Sequence, residues 1–252
     1  MKLVLSQPSP TNGDTEAAFG HVAMLLRMAG AAGAEMVLLP ELFLPGYNRP
    51  DLHAGAQGPW IARLREMARA AGVGLTLGWA ERAGEDVYNA ATAIGPDGAV
   101  LAHYRKIQLF GPMERASFRP GTAPPPVFDL NGRRFGLLIC YDIEFAAHSA
   151  ALAQRGAEII LVPTANPAGF EHVQEVLVPA RAHESALTVA YANYCGTETG
   201  LAFGGRSLIA GPDARPLAAA GTGETVLIAT LPRREDYPPA LISTQARDFR
   251  AP

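Results

Sequence analysis

The feature that most constrains the fold of this chain is an apolar run that ends at a cysteine. Residues Phe135 to Ile139 are apolar or glycine, Cys140 follows, and polar residues then lead into a helix-like segment over 145–154. A short run of this kind predicts a buried strand that feeds a helix. Cys140 is therefore expected at the carboxyl end of a central strand, the edge where ligands bind in sheets covered by helices.

Cys140 on its own admits two interpretations. Free cysteine is often a buried apolar residue, and this interpretation is favoured when the residue is considered alone. A thiol placed before a helix N-terminus, however, meets backbone N–H groups and a helix dipole that favour the thiolate. The remaining motifs of the chain favour the reactive thiol.

The order of the predicted elements indicates an α/β fold. Strands are predicted at 2–6, 36–39, 73–79, 87–94, 99–104, 127–130, 133–139, 158–162, 188–193, 206–210 and 224–230, and helices at 16–29, 59–71, 145–154 and 171–186. Pro179 should kink the last helix, and the proline-rich segment 112–126 is expected to be an irregular loop. Such a mixture predicts sheets that are each covered by helices on one face.

Composition bounds the classes of function. The 252 residues suffice for one large domain over 1–252. A net charge of −3 and a pI near 6.1 give no electrostatic reason to expect nucleic acid or a membrane as partner. Two cysteines and the lack of a long apolar stretch predict a cytoplasmic protein without a disulfide framework. No cofactor is expected, and no metal, because His172 and His183 lack a third ligand at metal spacing.

Two further polar residues follow predicted strands. Glu41 comes directly after the second strand, and Lys106 ends the strand that begins near residue 99. Arg105 and Lys106 should point to opposite faces, so that one of them can enter a cleft. A carboxylate, an ammonium and a thiol suffice for acyl transfer from an amide, since the carboxylate can accept the thiol proton and the ammonium can stabilise an oxyanion. His148, on the helix after Cys140, is a less favoured candidate for the base.

These three strand ends lie in motifs that resemble those of a known family. The motifs are Pro40-Glu41-Leu42-Phe43 with Gly46-Tyr47, Tyr104-Arg105-Lys106 with Leu109-Phe110, and Cys140-Tyr141-Asp142. They resemble the Glu, Lys and Cys motifs of the carbon–nitrogen hydrolase (nitrilase) superfamily, and the resemblance runs over nearly the whole chain. It implies a four-layer α-β-β-α sandwich and the association of two subunits into a homodimer.

The resemblance also implies roles for individual residues. Glu41 would be the general base, Cys140 would form a thioester, and Lys106 with the backbone N–H of Tyr141 would hold the oxyanion. Glu114 matches a second glutamate that would orient Lys106 and the substrate amide, although a solvated loop carboxylate is the alternative. The implied partner is a small-molecule amide.

The residues around Cys140 indicate a branch of the family. Nitrilases usually carry tryptophan after the nucleophile, whereas Tyr141 is similar to the amidases, and the local sequence looks most like amidases of amino-acid amides and ω-amino amides. Glu144 either attracts a substrate ammonium or caps the next helix, and Asn166 is a further candidate for substrate binding. A nitrilase or an N-carbamoyl hydrolase with the same triad, or a non-catalytic interaction protein on the same fold, are the alternatives.

Overall fold

The computed structural model describes residues 1–55 and 59–250; the last two residues of the proline-rich tail lie outside this part of the chain. The strands are β1 (Lys2–Gln7), β2 (Met36–Leu38), β3 (Gly74–Ala83), β4 (Asp86–Ile94), β5 (Val100–Arg105), β6 (Val127–Leu130), β7 (Arg133–Leu137), β8 (Ile159–Pro163), β9 (Thr188–Ala192), β10 (Thr197–Glu198), β11 (Leu201–Ala202), β12 (Leu208–Ala210), β13 (Pro216–Ala219) and β14 (Thr225–Thr230). The helices are α1 (Thr15–Ala31), α2 (Pro50–His53), α3 (Trp60–Ala71), α4 (Gly111–Ser117), α5 (Ala146–Gln154), α6 (Val178–Glu184) and α7 (Gln245–Asp248). Within residues 1–55 and 59–250, none of the helices combines the length and apolar character that crossing a bilayer requires.

The strands form two mixed sheets with parallel strands at their centres. The first sheet has the order β14-β1-β2-β3-β4-β5, and the second has the order β13-β12-β9-β8-β7-β6. In the first, β1, β2 and β3 run parallel, and in the second β7, β8 and β9 do so. Because parallel central strands are buried on both faces, their sequences read as continuous apolar runs.

The two sheets pack face to face and are covered by helices on their outer faces. The core between the sheets includes Leu3, Leu5, Met36 and Leu38 from the first sheet and Phe135, Leu137, Ile159 and Leu161 from the second. Alternate residues of the same strands, such as Val4 and Ile160, point outward into two further cores with α1 and α3 on one side and α5 and α6 on the other. This arrangement confirms the predicted four-layer α-β-β-α sandwich.

Three local predictions differ from the structure. The segment expected to be irregular contains helix α4, in whose first turn Pro112 lacks only an N–H that would be unpaired there anyway. The predicted helix over 171–186 is a π-helical turn, Val173–Leu177, followed by α6, in whose first turn Pro179 lies. Strand β13 was not predicted, and it pairs with β12 at the edge of the second sheet.

Gly78 in β3 allows the chain after β2 to lie directly on the sheet. A Cβ atom at this position would lie 2.5 Å from Glu41 Cα and 2.8 Å from the Glu41 carbonyl carbon. The Gly78 N–H donates to the Pro40 carbonyl at 3.0 Å. Only glycine permits this approach, so the lack of a side chain at position 78 allows Glu41 to lie against β3.

We therefore expect Gly78→Ala to destabilise the fold by about 1–3 kcal/mol, because the methyl group meets backbone that cannot rotate away. Urea unfolding measures the change. Gly20→Ala is the matched control, since nothing lies within 4 Å of its Cβ position in α1, and a helical Gly→Ala change should stabilise by up to about 1 kcal/mol. Equal stability changes in the two variants would contradict this account of Gly78.

Candidate active site

Lys106 lies at the centre of a buried ion cluster. Its Nζ is 2.6 Å from Glu41 Oε1, and it is 2.7 Å and 2.9 Å from the two carboxylate oxygens of Glu114. All three side chains are inaccessible to solvent. Arg105 points the other way and pairs with Glu81, which confirms that the two adjacent cations face opposite sides of the strand.

Glu41 follows β2 and has one oxygen engaged and one free. Its Oε1 accepts hydrogen bonds from Lys106 and from Asn89 Nδ2, the latter at 2.7 Å. Its Oε2 has no hydrogen-bond partner in the described part of the chain. The pKa of Glu41 is raised to about 7. Burial and the charge of Glu114 raise this pKa, and the charge of Lys106 offsets part of the rise. This carboxyl group can therefore gain or lose a proton near neutral pH.

Glu114 is a buried member of the cluster, which makes the alternative of a solvated loop carboxylate wrong. It lies in α4, and its two oxygens accept hydrogen bonds from Tyr47 Oη at 2.9 Å and from the Phe110 N–H at 2.9 Å, besides those from Lys106. A buried carboxylate is stabilised only when such donors replace water. The position of Glu114 is thus fixed by three donors, Tyr47, Lys106 and Phe110.

Cys140 occupies a strained backbone position between β7 and α5. It has a φ of 44°, in the left-handed region that residues other than glycine seldom adopt. It begins a 3₁₀ turn, Cys140–Glu144, and is 7% exposed. Strain of this kind concentrates at functional sites, where the surrounding structure holds the residue in place.

The electrostatic surroundings of the thiol differ from the expectation of a stabilised thiolate. Burial and the charge of Glu41 raise the pKa of Cys140 well above its ordinary value, while Lys106 and the backbone N–H of Ala165 lower it. A single 3₁₀ turn after Cys140 takes the place of the predicted helix N-terminus. The resting residue is therefore a neutral thiol, which needs a proton acceptor when it reacts.

Asp142 ties the turn that carries Cys140 to the segment that follows Lys106. Its carboxylate is buried and accepts hydrogen bonds from Tyr104 Oη at 3.0 Å, from the Gln108 N–H at 3.0 Å and from the Ile139 N–H at 3.2 Å. The two strands concerned belong to different sheets. Asp142 thus joins the sheets at the point where the ammonium and the thiol meet.

Tyr141 directly follows Cys140, and its ring lies among other aromatic side chains. The Tyr141 ring makes edge contacts with Phe110 at a centroid distance of 5.3 Å and with Phe145 at 5.0 Å. Tyr141 and Phe145 line an open cavity of about 560 Å³ together with residues such as Leu109. Arg115 and Arg119 line the same cavity, so its wall combines aromatic, aliphatic and cationic groups.

Glu144 is half-buried, and its carboxylate does not cap the next helix. Phe145 occupies the N-cap position of α5, and no side chain forms a capping hydrogen bond there. Burial raises the pKa of Glu144, while the charges of His172, Lys106 and Arg181 lower it. The Arg181 guanidinium donates to the backbone carbonyl of Glu144 at 2.9 Å, so it holds the turn.

Two other candidates have partners within the protein. Asn166 Nδ2 donates to the Phe170 carbonyl at 2.9 Å and to Gln174 Oε1 at 2.8 Å, and its role in substrate binding stays a prediction. His148 Nε2 lies 3.4 Å from Gln108 Nε2, and the ring packs against Phe145. These contacts give no support to His148 as the base.

Sequence reasoning missed Asn89 and Gly78, and it noted Tyr47 and Asp142 only as parts of motifs. A usable signal existed for Asn89, because asparagine is depleted in strands and this one lies inside β4. For Tyr47, nothing local indicates that its hydroxyl reaches a residue 67 positions away.

Comparisons with known proteins agree with this geometry. A family model described as carbon–nitrogen hydrolase matches residues 2–236. The chain is 35% identical over 230 residues to an (R)-stereoselective amidase from Pseudomonas sp, covering 89% of this chain and 82% of that protein. It is also 35% identical over 232 residues to a nitrilase from Pyrococcus abyssi, covering 89% of this chain and 86% of that one.

A solved amidase from Nesterenkonia sp. AN1 has the same fold. A glutamate-to-glutamine mutant of that amidase matches with a TM-score of 0.88 and 38% identity, covering 92% of this chain and 93% of the other, and acrylamide has added to its active-site cysteine. Other structures of that amidase are a complex with butyramide and a covalent addition of the acetamide moiety of fluoroacetamide at the active-site cysteine. The extent of these matches confirms the family resemblance: the chain is an enzyme of the carbon–nitrogen hydrolase family, within the nitrilase superfamily.

Proposed function

We propose that this protein hydrolyses a small primary amide to a carboxylate and ammonia through a thioester on Cys140. The observation that carries the proposal is the buried Lys106 ammonium held between Glu41 and Glu114, with Cys140 close enough for Glu41 and Lys106 to shift its pKa. The relatives named for amidase activity and the amide complexes of the Nesterenkonia protein support it.

In the first half-reaction, Glu41 accepts the thiol proton as Cys140 Sγ attacks the amide carbonyl carbon. A bond forms between sulfur and carbon, and the carbonyl oxygen becomes an oxyanion. When the intermediate collapses, the C–N bond breaks and Glu41 returns its proton to the nitrogen, so that ammonia leaves. The free Oε2 of Glu41 is the atom suited to this exchange.

In the second half-reaction, water attacks the thioester carbonyl. Glu41 takes a proton from the water, the C–S bond breaks, and the proton goes to Cys140 Sγ, which restores the thiol and releases the acid. Lys106 Nζ and the Tyr141 N–H stabilise the oxyanion in both halves, and Glu114 orients Lys106 and the substrate amide. Each such donor is typically worth on the order of 100-fold to 1,000-fold in rate.

The substrate that this site favours is an amide with a distal ammonium. Glu144 supplies a half-buried carboxylate near the reacting cluster with no capping role in α5, so it can attract a cation and repel a carboxylate. The aromatic side of the neighbouring cavity, formed by Tyr141 and Phe145, suits the apolar part of an acyl chain. We also retain Asn166 as a candidate contact, one domain over residues 1–252, a homodimeric state and a cytoplasmic setting as parts of this proposal.

Nitrile hydrolysis is the second candidate, because a relative of equal identity is named a nitrilase. The same thiol would add to the carbon of a nitrile, but the nitrogen would leave as ammonia only after water has added to the covalent intermediate. An N-carbamoyl substrate would release carbon dioxide as well. Assaying ammonia and carbon dioxide from a panel of primary amides, nitriles and carbamoyl compounds separates these three reactions, and we expect ammonia from the amides.

Replacing the nucleophile is the most direct test of the mechanism. Cys140→Ala should lower turnover by at least about 10⁴-fold, because no other group can form the thioester. Cys195→Ala is the matched control, since Cys195 is a buried thiol whose Sγ lies 3.7 Å from Ser9 Oγ. We expect the control to keep its turnover. Appreciable ammonia release by a folded Cys140→Ala protein would remove Cys140 from the mechanism.

The pH dependence of kcat/KM tests the role of Glu41. Its pKa is raised to about 7, and only the ionised form can accept the thiol proton, so kcat/KM should rise as pH increases through about 7 and level off above it. Because Glu41 and Lys106 interact, the midpoint belongs to the cluster. Glu41→Gln should lose several orders of magnitude in rate and lack this limb. The same limb in the residual activity of the variant would assign the midpoint to another group.

Substrate charge tests Glu144. Glu144→Arg should narrow or invert the preference for an ω-amino amide over an ω-carboxy amide of equal length. The expected change in the ratio of the two kcat/KM values is about tenfold, because solvent screens the charge of this half-exposed side chain. Glu85→Arg, in the exposed turn between β3 and β4, makes the same change in net charge as a control. An unchanged ratio in a folded Glu144→Arg protein would exclude this charge effect.

A further inference from the structure

Glu198 is fully buried, like Glu41 and Glu114, but lies outside the ion cluster. It belongs to the β10–β11 hairpin, and its side chain is 0% exposed. Its Oε2 accepts the Asn48 N–H at 2.6 Å, and its Oε1 has no hydrogen-bond partner in the described part of the chain. Burial raises the pKa of Glu198, while the N–H groups of Asn48 and Tyr47 lower it. A buried carboxylate with so few donors is costly unless its contacts hold other parts of the structure in place.

The carboxylate of Glu198 closely contacts the loop that follows β2. A Cβ atom on Gly46 would collide with Glu198 Oε1 and would lie 3.3 Å from its Cδ, and Gly46 has a φ of 136°. The loop backbone at residues 46–48 therefore wraps closely around one carboxyl group. Such an approach needs glycine, because a side chain at this position would displace the loop.

The segment held in this way carries Tyr47, which reaches the ion cluster. Tyr47 Oη donates to Glu114 Oε1 at 2.9 Å, and its ring lies edge-on to Phe203 at 6.1 Å between centroids. Phe203 directly follows β11. The hairpin therefore supports Tyr47 twice, at its backbone through Glu198 and at its ring through Phe203.

Tyr47 is one of three donors that fix Glu114, and Glu114 binds Lys106 through both carboxylate oxygens. A shift of Tyr47 would leave Lys106 as the remaining side-chain donor to Glu114 Oε1, so the carboxylate could turn and Lys106 Nζ would then move relative to Glu41. Displacements of about 1 Å in an oriented group can lower a rate about 100-fold. The contacts thus form one continuous path from the hairpin to the ammonium.

We propose that Glu198 is a positioning residue that fixes Tyr47 against Glu114 and so holds Lys106 at the oxyanion. This inference rests on the proposed amide hydrolysis. The alternative is that Glu198 only fastens the hairpin to the rest of the protein. The two roles differ in one measurable respect, because a positioning residue acts through Tyr47 and loses its effect when the Tyr47 hydroxyl is absent.

A double-mutant cycle between Glu198 and Tyr47 tests this path. Tyr47→Phe should lower kcat about tenfold to 100-fold, because it removes a hydrogen bond to a charged group, and Glu198→Ala should lower kcat about tenfold with KM nearly unchanged. In the Tyr47→Phe background, Glu198→Ala should lower kcat less than about twofold. Equal tenfold losses in both backgrounds would overturn the proposal.

Conservative variants and a neighbour serve as controls. Glu198→Gln keeps an oxygen for the Asn48 N–H and should retain kcat within about threefold. Glu198→Asp keeps the charge but shortens the side chain, so it should lower kcat by about as much as Glu198→Ala. It replaces the alanine variant in the cycle if that variant does not fold. Asn48→Ala removes two side-chain hydrogen bonds, to the backbone carbonyls of Glu198 and Thr199, and leaves the backbone N–H in place. A loss in Asn48→Ala equal to that in Glu198→Ala would overturn the positioning role.

The rate of Cys140 alkylation by iodoacetamide, followed by mass spectrometry, separates this inference from the proposed function. It reports the surroundings of the thiol and needs no substrate turnover. The effects of Glu198→Ala and Tyr47→Phe on the alkylation rate should also be non-additive. Additive effects on both kcat and the alkylation rate would overturn the role of Glu198. A non-additive alkylation cycle in a protein that releases no ammonia would support that role and overturn amide hydrolysis instead.

Discussion

The structure around the site depends on one interaction, the Lys106 ammonium bound by two carboxylates, with all three side chains inaccessible to solvent. One positive charge between Glu41 and Glu114 leaves an excess of negative charge when both are ionised, and this excess together with burial raises the pKa of Glu41 to about 7. Isolated buried ions are unstable, so every member needs further donors. Asn89 supplies one to Glu41, and Tyr47 supplies one to Glu114. The cluster therefore requires the loops that deliver these groups.

Backbone strain is the second constraint, and it lies where the reacting groups lie. Cys140 and Leu42 both have positive φ values, 44° and 46°, and Leu42 directly follows Glu41. Left-handed conformations of such residues cost on the order of 1–3 kcal/mol each and persist only when the surroundings fix them. Asp142 does so at the turn of Cys140, with three donors from two sheets, and Gly78 does so by allowing Glu41 to approach β3.

The parts of the fold that the sequence predicted are those that depend on local pattern. Continuous apolar runs identified the central strands, and the polar residues after them identified Glu41, Lys106 and Cys140. The contacts that support these residues join distant segments, as when Glu198 meets Asn48 across 150 positions, and no local pattern reports such a contact. Helix α4 was missed because Pro112 and the prolines that follow the helix suggest a loop, although Pro112 fits the first turn of a helix. The family resemblance, and not periodicity, indicated that Glu114 belongs to the site.

The directions of the pKa shifts favour Glu41 as the group that exchanges the proton in the proposed reaction. Burial lowers the pKa of Lys106, but Glu114 and Glu41 outweigh it and raise that pKa well above its ordinary value, so the ammonium stays charged and cannot serve as the base. The Cys140 thiol is also shifted upward, chiefly by burial, and therefore keeps its proton until it attacks. Glu41 alone among the three has a pKa near neutrality. In the proposed reaction, such a group can accept the thiol proton only as the sulfur attacks, because the pKa of the thiol lies above its own, and it can then return the proton to the departing nitrogen. The second carboxylate, Glu114, thus has two effects: it holds the ammonium, and its charge helps to raise the Glu41 pKa toward neutrality.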